Sequence, residues 1–195
     1  CRKDTSKFIC GIDKLQTEEM CVVYSMGGNN QWQFELDILE KTPCQVHTFD
    51  CTGNITRFEK PKHPRLSFHH ICLGAEHVPY NQDKKCSGRG ICGDILTLYQ
   101  IEIMLGHKRI DLFKIDIEGY EWPIFESWPE LGDTSHAADM VLPMQILVEV
   151  HYRTFMKKLW PLKYQSKARM PIDFKSATDM VKLQEHLLKT GYAVG

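Results

Sequence analysis

Two short acidic segments of the sequence contain the side chains best suited to chemistry. Asp116 and Glu118 follow one apolar run, and Glu149 and His151 end another. Each pair is spaced two residues apart, so its side chains share one face if the backbone is an extended strand. If the two strands are neighbours, we expect these four ionisable groups to converge where the strands end.

Three uses of such a cluster stay open at this point. It could perform general acid/base catalysis, in which crowding raises the pKa of one carboxyl group. It could bind a divalent metal ion. It could also be a hydrogen-bonded lattice that holds the loops, because carboxylates taken to the edge of a core need partners.

The elements that position these residues alternate along the chain. Strands are predicted at 21–25, 45–49, 66–73, 110–116 and 145–150, and helices at 32–41, from Asp94 or Thr97 to Gly106, from about Trp122, and at 178–190. This alternation predicts an α/β fold, a doubly wound and mostly parallel sheet covered on both faces. Residues 1–20 are expected to be an irregular segment before one domain at 21–195, with an inserted polar loop at 76–94. A further strand could begin at Tyr192, so the C-terminal edge of the sheet is expected to be incomplete.

A glycine turn and a later aspartate form a second candidate site. Gly27, Gly28 and Asn29 follow the first strand, and Asp50 ends the second strand 22 residues after Gly28. An acidic residue about 20 residues past such a turn binds ribose hydroxyls in nucleotide-binding α/β folds. The turn could equally be only a turn, and Asp50 only its cap.

Composition narrows the classes of partner. The chain has 195 residues and a formal net charge of -1, with no Lys/Arg run longer than a pair. We therefore expect no nucleic-acid partner. No apolar stretch approaches the roughly 18 residues that span a bilayer, so no membrane span is expected in this segment. The sequence does not predict the oligomeric state.

The cysteines and one sequon bear on the cellular compartment. There are eight cysteines without a C-x-x-C pair, which disfavours a zinc ribbon, and Asn54-Ile-Thr56 is a glycosylation sequon. Together they favour the secretory pathway or the extracellular space, with the cytoplasm as the alternative. Only one disulfide is predicted, Cys86–Cys92, which closes a short glycine-rich loop.

Six stretches of the chain carry a family resemblance. They are Cys21–Gly27, Phe34-Glu35, Val46–Asp50, Phe68–Gly74, Leu112–Trp122 and Gln145–His151. Their pattern resembles the FkbM-type branch of the class I S-adenosylmethionine-dependent methyltransferases, in particular a cysteine-rich eukaryotic subgroup of methyltransferase-like proteins. The most specific of them is the Lys-Ile-Asp-Ile-Glu-Gly-x-Glu block within Leu112–Trp122.

The resemblance implies a Rossmann-like sheet that binds S-adenosylmethionine across its strand ends. It assigns residues to the parts of the cofactor: the turn at Gly27, Gly28 and Asn29 to the methionine moiety, Asp50 to the ribose, Leu73 and Gly74 to the adenine, and Asp116 to the region of the sulfonium. The family usually has an acid two residues before its first glycine, where this chain has Ser25. That acid would normally help to hold the ammonium group of the cofactor, so we expect either weaker cofactor binding or a contribution from another group, for instance Glu35.

The resulting hypothesis is an enzyme that methylates a hydroxyl group of a small molecule or a glycan. His151 or Glu149 is the predicted base, with Glu118 and Asp116 as positioning groups, and no metal ligand is assigned. One alternative is a catalytically inactive methyltransferase-like binding module of the secretory pathway. Another is a manganese-dependent sugar-nucleotide transferase, although the chain shows no obvious basic clamp for a diphosphate.

Overall fold

The structure, a computed structural model, describes residues 9–17, 20–83, 86, 88, 90–134, 139–151 and 175–193. The strands are β1 (Val22–Met26), β2 (Gln45–Phe49), β3 (Leu66–His69), β4 (Cys72–Leu73), β5 (Ile95–Leu96), β6 (Leu112–Ile115) and β7 (Ile146–Val148). The helices are α1 (Ile12–Thr17), α2 (Gln33–Lys41), α3 (Leu98–Leu105), α4 (Glu121–Glu126) and α5 (Ala177–Lys189), with a 3-10 turn at Ile55–Arg57. The chain divides into two compact units: Cys1–Ile115 with Val141–Val148, and Asp116–Met140 with Glu149–Gly195.

A parallel five-stranded sheet is the centre of the first unit. Its strand order is β3-β2-β1-β6-β7, and every neighbouring pair is parallel. The central strands are apolar runs because both faces of a parallel sheet are covered, and β6 is buried along its whole length. The register pairs Met26 with both Phe49 and Ile115. The carboxyl ends of β1, β2 and β6 therefore lie at the same edge, in the predicted α/β fold of Rossmann-like type.

Two helices of this unit show how the sequence forms local structure. α2 buries Phe34, Ile38 and Leu39 against a core that includes Val46 and Leu112. Burying such side chains stabilises the fold by about 1.5–3 kcal/mol each. α3 begins at a capping box on Thr97 and ends at Gly106, whose φ of 71° is left-handed. Of the two caps predicted for this helix, the structure uses Thr97 and not Asp94.

Among the residues that the structure describes, three disulfides join cysteines of the first unit. They are Cys21–Cys44, Cys51–Cys72 and Cys86–Cys92. The last pair confirms the prediction from the short loop. The first links the residues that precede the neighbouring strands β1 and β2. Three disulfides are consistent with an oxidising environment.

The structure differs from the predicted elements in several places. The single strand expected at 66–73 is two strands, because β3 pairs with β2 whereas β4 pairs with β5 in a separate small sheet. The segment expected to be irregular at the N-terminus contains α1. Tyr192 lies outside any strand, and Val194 lies outside the described residues. None of the helices that the structure describes is long and apolar enough to cross a membrane.

Candidate functional site

The turn after β1 is held tightly against β2. The Gly27 amide donates to the Phe49 carbonyl at 3.0 Å, and Gly27 has a φ of 82°. A Cβ added at Gly28 would lie 2.9 Å from Cγ2 of Thr48, so a larger residue there requires a shift of the Thr48 side chain or of the backbone. Asn29 also has a left-handed φ, of 40°, which asparagine tolerates better than most residues. The predicted glycine turn therefore has a definite, strand-anchored shape.

Asp50 lies beside this turn and is 4% exposed. Its Oδ2 accepts a hydrogen bond from the Asn29 amide at 2.7 Å, and its Oδ1 accepts from the amide and the hydroxyl of Thr52 at 2.8 and 2.5 Å. Arg57 approaches Oδ2 at 3.8 Å. A carboxylate offers about four acceptor positions, so most of those of Asp50 are used inside the protein. A bidentate grip on two ribose hydroxyls would have to displace an internal bond.

Ser25 and Glu35 form a buried pair at the end of β1. The Ser25 hydroxyl donates to Oε1 of Glu35 at 2.6 Å, and the two residues are 0% and 1% exposed. Oε2 of Glu35 is buried without a hydrogen-bond partner among the described residues. Burial raises the pKa of Glu35, while the Ser25 hydrogen bond, the helix backbone and the charge of Lys114 oppose that rise. A carboxylate from α2 thus reaches Ser25, the position where the resemblance leads us to expect an acid.

Lys114 is a functional candidate that sequence reasoning missed. It is 8% exposed, and its ammonium donates to the carbonyls of Met26 and Gly27 at 3.5 and 3.2 Å. A lysine inside the apolar run Leu112–Ile115 was the available signal, because a buried charge must find partners. Its partners are far away in the sequence, so the run itself does not reveal them.

Leu73 ends β4 of the small sheet that β4 and β5 form, and Gly74 follows it directly. Leu73 is buried, and the Gly74 amide donates to the Leu96 carbonyl at 2.9 Å. A Cβ at Gly74 would lie 2.4 Å from Cγ2 of Ile95. Close packing against β5 therefore explains the glycine without any ligand, and its predicted role at an adenine ring stays a prediction.

In the second unit, the four predicted ionisable groups converge around His151. Its Nε2 lies 4.0 Å from Oδ1 of Asp116, 3.8 Å from Oε2 of Glu118 and 3.8 Å from Oε1 of Glu149. The two strands are neighbours, as predicted, but the residue pairs do not share strand faces, because β6 ends at Ile115 and β7 at Val148. None of the four lies in a strand, and Glu118 has a left-handed φ of 58°. Turns beyond the strand ends bring the groups together.

Glu121 holds the His151 ring and was not singled out from the sequence. It is 0% exposed, and its Oε1 accepts from Nδ1 of His151 at 3.1 Å and from the Ile117 amide at 2.9 Å. The indole of Trp122 donates to the His151 carbonyl at 2.5 Å. With Nδ1 bound by a carboxylate, the favoured neutral tautomer has its lone pair on Nε2, facing the other three carboxylates.

The charges of this cluster shift the pKa values of His151 and Glu118. Burial by itself lowers the pKa of His151, but the hydrogen bond and charge of Glu121 and the charges of Glu118 and Asp116 raise it above its ordinary value. Partial burial, together with the surrounding carboxylates, raises the pKa of Glu118, although 61% of its side chain is exposed and His151 opposes the shift. An oriented imidazole beside carboxylates can accept a proton or bind a cation.

A family described as a methyltransferase domain matches residues 2–188. The chain belongs to this methyltransferase domain family. The domain is 29% identical over 122 residues to the "Probable methyltransferase-like protein 24" of Rattus norvegicus, covering 58% of this chain and 30% of that protein. It is 28% identical over 112 residues to the Homo sapiens protein of the same name, covering 56% of this chain and 28% of that protein. The match therefore spans less than a third of the length of these curated relatives. No solved structure shows significant similarity to the methyltransferase domain.

Proposed function

We propose that this methyltransferase domain uses S-adenosylmethionine to methylate a hydroxyl oxygen of a small molecule or a glycan. The observation that carries the cofactor assignment is Oε2 of Glu35, a buried oxygen without a hydrogen-bond partner among the described residues. An ammonium group is the natural partner for such an oxygen. The methionine moiety of the cofactor carries one, and the glycine turn that the family resemblance assigns to that moiety begins two residues after Ser25 in the chain.

The other cofactor contacts follow from the resemblance. Gly27, Gly28 and Asn29 would line the methionine moiety, Asp50 would bind the ribose, Leu73 and Gly74 the adenine, and Asp116 would lie near the sulfonium. When bound, the cofactor supplies an electrophilic methyl group, so the protein mainly has to orient the acceptor and remove its proton. The finer assignment to the FkbM-type, cysteine-rich subgroup belongs to this proposal.

The acidic cluster supplies the proton acceptor. His151 or Glu149 takes the proton of the acceptor hydroxyl, and Glu121 fixes the orientation of the His151 ring through Nδ1. Glu118 and Asp116 stabilise the imidazolium that forms, because both carboxylates lie within 4.0 Å of Nε2. The acceptor enters as a neutral hydroxyl and leaves as its methyl ether.

Two carboxylates of α2 provide a matched test. Glu35→Gln removes the charge that we assign to the cofactor ammonium, while Glu40→Gln removes an exposed charge from the same helix. A hydrogen bond to a charged group contributes about 1.5–3 kcal/mol, or roughly 10- to 150-fold in affinity. Calorimetry with S-adenosylmethionine should show that loss for Glu35→Gln and no change for Glu40→Gln. Equal affinity in both variants would refute the assignment.

A secretory location is part of the same proposal. The three disulfides and the exposed sequon at Asn54 support it; Oδ1 of Asn54 accepts from both the amide and the hydroxyl of Thr56 at 2.9 Å. Expression through the secretory pathway should give a product that shifts in mass on treatment with a glycosidase. Asn54→Gln should abolish that shift, and an unshifted wild-type product would contradict the predicted glycan.

One observation favours the inactive binding module instead. Asp50, the proposed ribose ligand, already accepts three internal hydrogen bonds. If Asp50 keeps all three of these bonds, it cannot bind the two hydroxyls of a ribose. The domain would then be a catalytically inactive binding module. The absence of any measurable cofactor binding by the wild-type protein would favour this function.

A further inference from the structure

We propose that Asp116, Glu118 and His151 bind one divalent cation, Mn²⁺ or Zn²⁺, through Oδ1, Oε2 and Nε2. The proposal depends only on residues of the second unit, so it does not require that a methyl donor binds. One potential ligand atom from each residue lies within 4.8 Å of the other two. These are the oxygen and imidazole ligands that suit divalent ions of intermediate softness.

The distances from Nε2 of His151 to the carboxylates of Asp116 and Glu118 are compatible with a shared ion. Nε2 of His151 lies 4.0 Å from Oδ1 of Asp116 and 3.8 Å from Oε2 of Glu118. These distances exceed those of ordinary hydrogen bonds. Two ligands of a tetrahedral Zn²⁺ at about 2.0 Å from the ion are ~3.3 Å apart. An ion therefore needs inward movements of only ~0.5–0.7 Å between Nε2 and each carboxylate.

Glu121 is an independent indication that a cation belongs here. A histidine that binds a metal usually donates its second ring N–H to a carboxylate, which fixes the tautomer and the ring. Glu121 accepts from Nδ1 of His151 in this way, at 3.1 Å. It is 0% exposed, and its Oε2 has no hydrogen-bond partner among the described residues. A wholly buried carboxylate with an unsatisfied oxygen is stabilised by positive charge nearby.

The charge balance of the cluster points the same way. Four carboxylates, from Asp116, Glu118, Glu121 and Glu149, surround the single imidazole of His151. Within these four ion pairs, protonation of His151 offsets one negative charge, whereas a divalent cation offsets two and needs the ring neutral. With Nε2 occupied by the ion, His151 acts as a ligand. Of the two predicted bases, Glu149 then remains to accept the proton.

Mn²⁺ alone, without cofactor or acceptor, is the probe for the test. The full chain is stripped with EDTA, and free Mn²⁺ is followed by electron paramagnetic resonance during titration. We expect one Mn²⁺ to bind at this cluster, and Zn²⁺ to displace it. Asp116→Asn and Glu118→Gln should each weaken binding at least tenfold while circular dichroism stays unchanged, because neither side chain is buried in the core.

Two controls separate coordination from mere attraction between charges. The first control uses another glutamate–histidine pair of the same unit, in which Oε1 of Glu130 lies 3.5 Å from Nδ1 of His186. Glu130→Gln removes that carboxylate and should not change the affinity for Mn²⁺. Binding should also persist in about 0.5 M salt, where screening acts over only ~4 Å. Glu121→Gln should weaken binding about 10- to 100-fold although every ligand is intact.

Any of three results would refute the metal site. The wild type could fail to bind Mn²⁺, Glu130→Gln and Glu118→Gln could lose Mn²⁺ affinity equally, or Mn²⁺ binding could disappear at about 0.5 M salt. Cofactor affinity measured in EDTA tests the proposed methyltransferase function separately. A protein that binds S-adenosylmethionine but no Mn²⁺ refutes only the metal site, and the reverse result refutes only the cofactor assignment.

Discussion

Two buried groups of the first unit should give opposite pH dependences of stability. Burial, together with the neighbouring His107 and His69, lowers the pKa of His47 to about 4 from its ordinary 6.5. Burial raises the pKa of Glu102 to about 7 from 4.5, although the Val141 amide and Lys108 oppose the shift. His47 is 8% exposed and Glu102 is 3% exposed, so neither shift is screened strongly by solvent.

The signs follow from which state binds more protons. Between pH 6.5 and 4 the unfolded chain protonates His47 and the folded chain does not, so acid destabilises the fold. The free energy of unfolding therefore falls by about 1 kcal/mol between pH 7 and 5.5, and by about 3 kcal/mol between pH 7 and 4. Between pH 7 and 4.5 the folded chain protonates Glu102 and the unfolded chain does not, so acid stabilises the fold. Protonation of Glu102 in the folded chain therefore raises the free energy of unfolding by about 1.5 kcal/mol between pH 7 and 5.5.

Urea unfolding at pH 7 and 5.5 separates the two effects. The free energy of unfolding of His47→Gln, relative to wild type, should rise by about 1 kcal/mol on acidification. That of Glu102→Gln should fall by about 1.5 kcal/mol, because the glutamine cannot take up a proton. Equal urea slopes would show that the unfolded states are comparable. If both differences move in the same direction, or if neither moves, the reasoning about these two groups is refuted.

Two further changes test the packing of the first unit. Replacing Cys51 and Cys72 together by alanine should destabilise the fold by about 3 kcal/mol, since their disulfide closes a loop with a sequence separation of 21 residues. A melting temperature equal to that of wild type under non-reducing conditions would contradict this prediction. Gly93→Ala places a Cβ 2.4 Å from the His70 carbonyl oxygen and should cost about 1–3 kcal/mol in urea unfolding. A variant as stable as wild type would show that the backbone yields there.

Local sequence patterns predicted the strands and helices because those patterns depend on nearby residues. The alternation of apolar runs and amphipathic segments predicted the parallel sheet, and Thr97 and Gly106 marked the ends of α3. The strand at 66–73 was the main error in the sheet. Its apolar pattern continues through the break, and only tertiary pairing with β2 and β5 divides it.

The sites were predicted less completely, because their contacts join distant residues. Glu121 meets a histidine 30 residues away, and Lys114 meets a carbonyl 87 residues away. No short-range pattern reveals such partners. For the acid missing at Ser25, the sequence left two alternatives, weaker cofactor binding or a contribution from another group such as Glu35. The two side chains do make contact, whereas the role of Glu35 toward a cofactor remains a prediction.

Calorimetric titration of S-adenosylhomocysteine, the demethylated product, into the wild-type protein tests the central claim most directly. We predict binding of one molecule per chain, with binding lost in Asp50→Ala. Thr52→Ala removes one internal partner of Asp50 and should retain binding, which controls for disturbance of the turn. Unchanged affinity in Asp50→Ala would refute the ribose assignment. A wild-type protein that binds no S-adenosylhomocysteine would contradict the proposed cofactor itself.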